Sequence, residues 1–492
     1  MRPKETRPTR SFARTWIADW VTPLSAYVKL RAAAQKETGV RASSFLLESG
    51  AGGERWGRYT ILGYRPQRQA VLGRDGIWRV DGEAIAPCGR DPLKVAEEAL
   101  RIDRNAKRSD PAQRHRKAHV GFFSWDLTHE IEKVPRWTPE LDGGSDIPLA
   151  RFVGDATTIV FDNFLQTMTI SSSSPDEVDR AFEEIRAPLP LSWVESPTTK
   201  RPLLNVRESM NDAEFEAIVR RAKEYIAAGD AFQIVLARKF FIDAEGIDPL
   251  AAYRAMRVLN PSPYMFFLDY SASDDAGVKT SAMQILGASP ETLVRLEGAK
   301  MTVRPLAGTR RRGKTPEEDL ALEAELLADP KERAEHVMLI DLGRNDVGRV
   351  AKIGGVHLLR QMQIERYSHV MHIVSEVEGE IDRERVPPLD VFRSAFPAGT
   401  LSGAPKLRAM QIIRELEGGP RGIYGGAVGY VSESGDFDLA IAIRSAVCRN
   451  GSFEVTAGAG IVEGSDPAAE AAETRAKAAS VLTSIGAAQE LL

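Results

Sequence analysis

From Asn211 onward, apolar residues recur at helical spacing in some segments and at strand spacing in others. They never follow the regular strand–helix–strand cadence that a parallel sheet requires. That irregular alternation predicts an α+β fold, with mixed, largely antiparallel sheets packed with helices in two closely associated subdomains. Asn211 and Glu214 form a capping box, Phe215, Ile218, Val219, Ala222 and Ile226 give the apolar stripe, and Gly229 ends the helix. A strand over Ala231–Ala237 sets Gln233 on the face opposite Phe232, Ile234 and Leu236. Helices are expected after Pro330 and from Pro405 to Gly418, and strands over Ala427–Val431 and Ala440–Val447.

The segment before residue 200 alternates short strand-type runs (Thr157–Phe161) with short helical ones (Leu93–Leu100). Glu195–Pro202 reads as a linker, dividing an N-terminal region, 15–200, from a larger one, 205–492. The Arg-rich stretch 1–14 lacks the apolar core of a secretory signal and reads as a basic disordered tail. At 492 residues the chain can bury a large core, and a net charge of −4 gives no reason to expect nucleic acid or a membrane surface as partner. Two cysteines cannot build a disulfide framework, and no apolar run is long enough to span a bilayer, so a cytoplasmic location is expected.

Chemistry concentrates in the second region. Gly458-Ala459-Gly460 reads as a glycine-rich turn with bare amides, followed by a helix that Ser465 or Asp466 can cap and that carries Glu470, Glu473 and Lys477 on one face. Amides for an anion, carboxylates for a hard cation and an ammonium suggest an acidic, metal-bound small molecule; a solvated Glu–Lys face is the alternative. Glu335 borders an apolar stripe, which calls either for an arginine partner such as Arg333 or Arg344, or for a cation. Magnesium takes one or two protein carboxylates, a need that Glu335 and Glu473 meet. His369 and His372 lack a third zinc ligand, leaving a single catalytic histidine or a core one. Gly399–Lys406 lacks a phosphate loop's ending, and Pro405 removes an amide, so nucleotide binding is disfavoured.

Seven segments together resemble the chorismate-utilising enzymes. They are Gly287–Thr292, Arg304–Arg310, Asp341–Asp346, Phe396–Lys406, Gly425–Tyr430, Ile443–Ser445 and Glu473–Lys477, in the family's order. Leu46-Leu47-Glu48-Ser49 and Asn260–Phe266 resemble the tryptophan-binding elements of the anthranilate synthase branch.

The resemblance implies chorismate as substrate, ammonia as nucleophile, Mg²⁺ as cofactor, and anthranilate and pyruvate as products. It assigns Glu335 and Glu473 to the metal, with Glu470 as the weaker candidate. Gly308, Thr309, Tyr424, Arg444, the amides of Gly458, Ala459 and Gly460, and Lys477 go to the substrate. Glu291 is the acid for the departing C4 hydroxyl, His372 assists elimination of pyruvate, and Gln233 and Thr400 complete the catalytic set. Glu48, Ser49, Pro263, Tyr264 and Met265 bind tryptophan as inhibitor. Neither cysteine lies in a glutaminase nucleophile setting, so a separate glutamine amidotransferase subunit is implied. The sister activities are aminodeoxychorismate and isochorismate synthesis. Isochorismate synthases resemble one another in a water-activating lysine where Gln233 stands, and aminodeoxychorismate synthases commonly have a lysine at Ala307. A silent tryptophan-sensing subunit would be expected to lose Glu335, His372 or Glu473, and all three are present.

Overall fold

The computed structural model describes residues 11–38, 43–50, 57–85, 90–104, 115–137, 145–189, 205–243, 245–270, 273–275, 278–280, 282–367 and 370–489. The linker Glu195–Pro202 and His369 lie outside them. Two twelve-stranded antiparallel sheets organise the chain. The first runs from an edge at Phe12–Ile17, through Tyr59–Tyr64 and Ser44–Glu48, to Tyr264–Tyr270, Met283–Ser289, Ser445–Arg449, Ser452–Ile461 and Gln233–Asp243. The second runs from Leu306–Arg311 and Val370–Ile381, through Thr292–Glu297, Phe437–Ile441 and Ala427–Ser432, to Ala118–Phe123 and Ala150–Gly154. Met265 pairs with Glu48, and Ala427 with Phe123, so segments from either side of residue 200 share both sheets.

Phe45, Ile61, Phe266 and Ile285 from the first sheet meet Val120, Phe122, Val153 and Val428 from the second in a buried layer between them. Helices Pro23–Thr38, Pro249–Leu259 and Pro467–Gly486 bury their apolar stripes on the other side of the first sheet. Pro330–Gly348 and Pro388–Ala395 do the same for the second.

Locally signalled elements form as expected. The Asn211 capping box closes with both hydrogen bonds, starting helix Asp212–Ala227, and Gly229 follows it at φ +83°. Helix Lys406–Glu417 stops at Gly418 in the left-handed region. Two expectations are corrected. The tail is shorter than expected, because Phe12–Arg14 open an edge strand paired with Thr167–Ser172; alternating side chains outweigh the local charge, and Trp16 stacks on Phe182 at 4.4 Å. The strand expected over Ala440–Val447 is two strands in different sheets, Phe437–Ile441 and Ser445–Arg449, with Arg444 at φ +51° between them. A second crossover, Ser289 to Thr292, carries Glu291 from the first sheet to the second. The crossovers touch: Ala288 N donates to Arg444 O at 3.0 Å, and Ile441 N to Glu291 O at 3.0 Å.

One buried ion pair supports this arrangement from behind. Arg421, 2% exposed, donates to both oxygens of Glu417, to Leu401 O and to Val235 O, and lies 4.2 Å over the Trp125 ring. Glu417→Ala is expected to destabilise the fold by about 3–5 kcal/mol, because an unpaired guanidinium stays buried. The shift of the urea unfolding midpoint at constant m measures it.

Candidate active site

At the two crossovers and the ends of the neighbouring strands, residues remote in sequence converge. Glu291 is 8% exposed and accepts a hydrogen bond from Thr400 Oγ1 at 3.0 Å. Burial pushes its carboxyl up to about 8, against the opposing effects of Thr400 and Lys477. A group that keeps its proton at neutral pH can act as an acid.

His372 lies on strand Val370–Ile381, with Nδ1 3.0 Å from Gly308 O and 3.0 Å from Thr309 Oγ1. A bulge between Ala307 and Thr309, with Gly308 at φ +74°, turns that carbonyl toward the ring. A carbonyl only accepts, so Nδ1 carries the hydrogen of the neutral ring and Nε2 keeps its lone pair. Burial lowers the His372 pKa, which favours that neutral form.

Facing these groups is an acidic wall. Glu335, on helix Pro330–Gly348, accepts from Gln233 Nε2 at 3.5 Å. Its carboxyl is pushed up by burial and by the charges of Glu332 and Glu473. Glu470 is pushed up by burial and, more weakly, by Glu473. The arginines weighed as partners for Glu335 turn elsewhere: Arg333 donates to Leu327 O and Arg344 approaches Asp341. A cluster of carboxylates to which neither of these arginines turns, and whose donors are all hard oxygens, fits a divalent cation such as magnesium. Among the described residues no three acidic, His or Cys side chains converge enough to enclose an ion. A cation here therefore needs oxygens from substrate and water, which is magnesium's habit.

Positive groups complete the ring. Lys477 Nζ lies 2.6 Å from Glu473 and 3.0 Å from Gly458 O. Arg444 Nη1 reaches Lys477 O at 3.3 Å and Ser480 Oγ at 3.2 Å. Gly458, Ala459 and Gly460 are not a turn, as their composition suggested, but the end of strand Ser452–Ile461. One edge pairs with Gln233–Asp243; the pairing of the other with Ser445–Arg449 stops at Ala446–Val455, short of Gly458, whose carbonyl takes Lys477 instead. Small residues are needed because a Cβ on Gly458 would sit 2.8 Å from the Tyr424 hydroxyl, and one on Gly460 2.9 Å from Gln233 Nε2. The expected residues lie near one another through electrostatic couplings: Lys477 acts on Glu291, Glu473 on Glu335 and Glu470, and Arg444 on His372. Sequence reasoning missed Ser480, one helical turn beyond Lys477, and Tyr367, whose ring centre is 5.7 Å from that of His372.

A separate cavity of about 160 Å³ lies between the sheets and is lined by Glu48, Ser49, Pro263, Tyr264 and Met265, together with Arg58, His115, Arg295, Tyr430 and Asp438. The five residues expected there meet because strand Ser44–Glu48 pairs with Tyr264–Tyr270. The Glu48 carboxylate, expected near a ligand amine, is held by the Tyr253 hydroxyl at 2.6 Å and by Arg257 at 2.5 Å.

A family model for chorismate binding enzymes matches residues 57–483. Anthranilate synthase component 1 of Acinetobacter calcoaceticus is 43% identical over 485 residues, covering 96% of this chain and 94% of its own. That of Aquifex aeolicus is 42% identical over 493 residues, covering 96% of this chain and 94% of its own. The crystal structure of anthranilate synthase component I from Streptococcus pneumoniae has a TM-score of 0.74 at 34% identity, covering 88% of this chain and 93% of that one. A menaquinone-specific isochorismate synthase from Escherichia coli, 18% identical with a TM-score of 0.69, covering 97% of this chain and 94% of that one, shares the fold. The chain belongs to the chorismate-binding enzyme family, in its anthranilate synthase component 1 branch.

Proposed function

We propose that the chain converts chorismate and ammonia to anthranilate and pyruvate in tryptophan biosynthesis, as a magnesium-dependent lyase of the cytoplasm. A separate glutamine amidotransferase subunit delivers the ammonia, and tryptophan inhibits from the second cavity. The observation that carries this reading is Gln233. Its Nε2 is tied to Glu335, and its buried Oε1 has no hydrogen-bond partner among the described residues. That oxygen can accept from an N–H of ammonia, whereas an amide has no basicity with which to activate water.

Glu335 and Glu473, with Glu470 as the weaker ligand, would hold magnesium, which would supply charge withdrawal at the ring carboxylate. Arg444, Tyr424, Lys477 and the amides of Gly458, Ala459 and Gly460 bind and orient the diacid, with Gly308 and Thr309 beside it. As the ammonia nitrogen bonds to C2, both conjugated ring double bonds shift toward C4 and the C4–O bond breaks; Glu291, steadied by Thr400, gives that oxygen its proton so that it leaves as water, and the nitrogen's extra proton passes to solvent. His372 then takes the C2 ring proton at Nε2 while the ring carbon–oxygen bond to the enolpyruvyl group breaks and the ring becomes aromatic; the released enolate takes a proton at its methylene carbon and becomes pyruvate.

The test is turnover of the purified chain with chorismate, ammonium and magnesium, with products identified by mass spectrometry. Anthranilate and pyruvate are expected, and aminodeoxychorismate or isochorismate would overturn the reading. Glutamine in place of ammonium is expected to give no product without the partner subunit. Ser49→Arg brings a long cation into the cavity wall and is expected to raise the tryptophan concentration for half-inhibition at least tenfold, about 1.4 kcal/mol, with turnover retained. Dose–response curves of both proteins measure it.

A further inference from the structure

Between the second cavity and the acid lies a hydrogen-bonded bridge that the reaction itself does not use. Tyr264 lines the cavity, and its hydroxyl is 2.9 Å from Asp438 Oδ1 and 2.9 Å from Thr292 Oγ1. A carboxylate only accepts, so the tyrosine proton goes to Asp438, and Thr292 donates its own to the tyrosine oxygen. Asp438 is held in turn by Arg295, another cavity residue. Tyr264 pairs with Ser289 at the end of the first sheet, whereas Thr292 and Asp438 belong to the second. The phenol therefore pins the two sheets together across the crossover that carries Glu291.

Thr292 immediately follows Glu291. At the start of an extended strand, consecutive side chains point to opposite faces. Anchoring Thr292 toward the cavity thus directs Glu291 away from it, toward Thr400 and Lys477. A register shift between Thr292 and Val294 shows that pairing with Phe437–Ile441 is irregular just there, so the backbone ladder alone does not hold this entry.

We propose that Tyr264 is a positioning residue for the acid, its hydroxyl bridging Thr292 and Asp438 to aim Glu291, and that a ligand filling the cavity lowers turnover by disturbing this bridge. The second half rests on the reading of tryptophan as the cavity's occupant; the first half does not. Occupation and turnover are coupled only as far as the ligand favours one arrangement of the bridge over another.

The experiment compares the full-length parent with Tyr264→Phe, Thr292→Val and the double variant. Without tryptophan, Tyr264→Phe is expected to lower kcat about three- to tenfold, with KM for chorismate within twofold and the alkaline limb of the kcat–pH profile displaced. Thr292→Val is expected to do the same, and the double variant no more than either, because both delete one interaction. In Tyr264→Phe, calorimetry is expected to show tryptophan binding within tenfold of the parent, while saturating tryptophan leaves a larger residual activity. Parent-like kcat and pH profile in folded Tyr264→Phe would overturn the positioning role. Equal residual activity at saturation would overturn the coupling. If the parent neither binds tryptophan nor is inhibited by it, the occupant is wrong and the coupling with it, and the kcat comparison still decides the positioning role.

Discussion

Glu291→Gln is expected to lower kcat by about two to four orders of magnitude, the usual range for a positioned general acid. Glutamine keeps the shape and the acceptor for Thr400 Oγ1 but has no proton to give the departing oxygen. Stopped-time assays with saturating chorismate and ammonium read the effect, and a parent-like kcat would remove Glu291 from the mechanism. The same residue predicts a pH dependence. Its carboxyl sits at about 8 in the folded chain against an ordinary 4.5. Acid competence is therefore lost as pH rises through about 8, and the alkaline limb of the kcat profile should flatten in the variant. For stability, a folded pKa above the unfolded one means that the protonated form favours folding. That contribution is complete below pH 4.5 and is lost progressively as pH rises to about 8. Glutamine cannot ionise, so above pH 8 the variant should be the more stable by on the order of a few kcal/mol. Near pH 5 the two should be close. Thermal melts at both pH values test this, and an inactive protein that melts higher in alkali is the expected signature.

Glu335→Gln is expected to reduce turnover at least a hundredfold at saturating magnesium, a loss of about 2.7 kcal/mol of transition-state stabilisation. Glutamine still offers one oxygen, but it has no charge to hold a hard cation. Folding should not suffer, because the change removes a partly buried carboxylate that Glu332 and Glu473 repel. A melting temperature at or above the parent's, together with a weakened magnesium dependence of kcat, is the expected outcome. Glu473→Gln should act in the same direction while releasing Lys477, and the double variant should lose less than the sum if, as proposed, both side chains hold one ion. Parent-level turnover in Glu335→Gln would refute the proposed centre.

How far the site was legible depended on how local its signals are. The Asn211 capping box, the stop at Gly418 and the Asp466 cap of Pro467–Gly486 form because donors and acceptors a few residues apart satisfy one another. Ala440–Val447 misled because two strands of similar composition abut, and alternation cannot reveal that the chain changes sheets at Arg444. Gly458–Gly460 misled for a related reason. Glycines usually mark turns, but here they make room for Tyr424 and Gln233 beside an extended strand.

Residue order alone was enough to read the local elements, the kinds of chemical group available and, through ordered motifs, the family. Tertiary packing alone brings Gln233 to Glu335 and Glu291 to Thr400 near Lys477, turns Arg333 and Arg344 to partners other than Glu335, and lets Tyr264 reach across to Thr292. Helix starts and stops are written in neighbours a turn apart. Sheet order, crossovers and the partner of a buried carboxylate follow from pairings between distant segments, whose register is chosen by how the whole core packs.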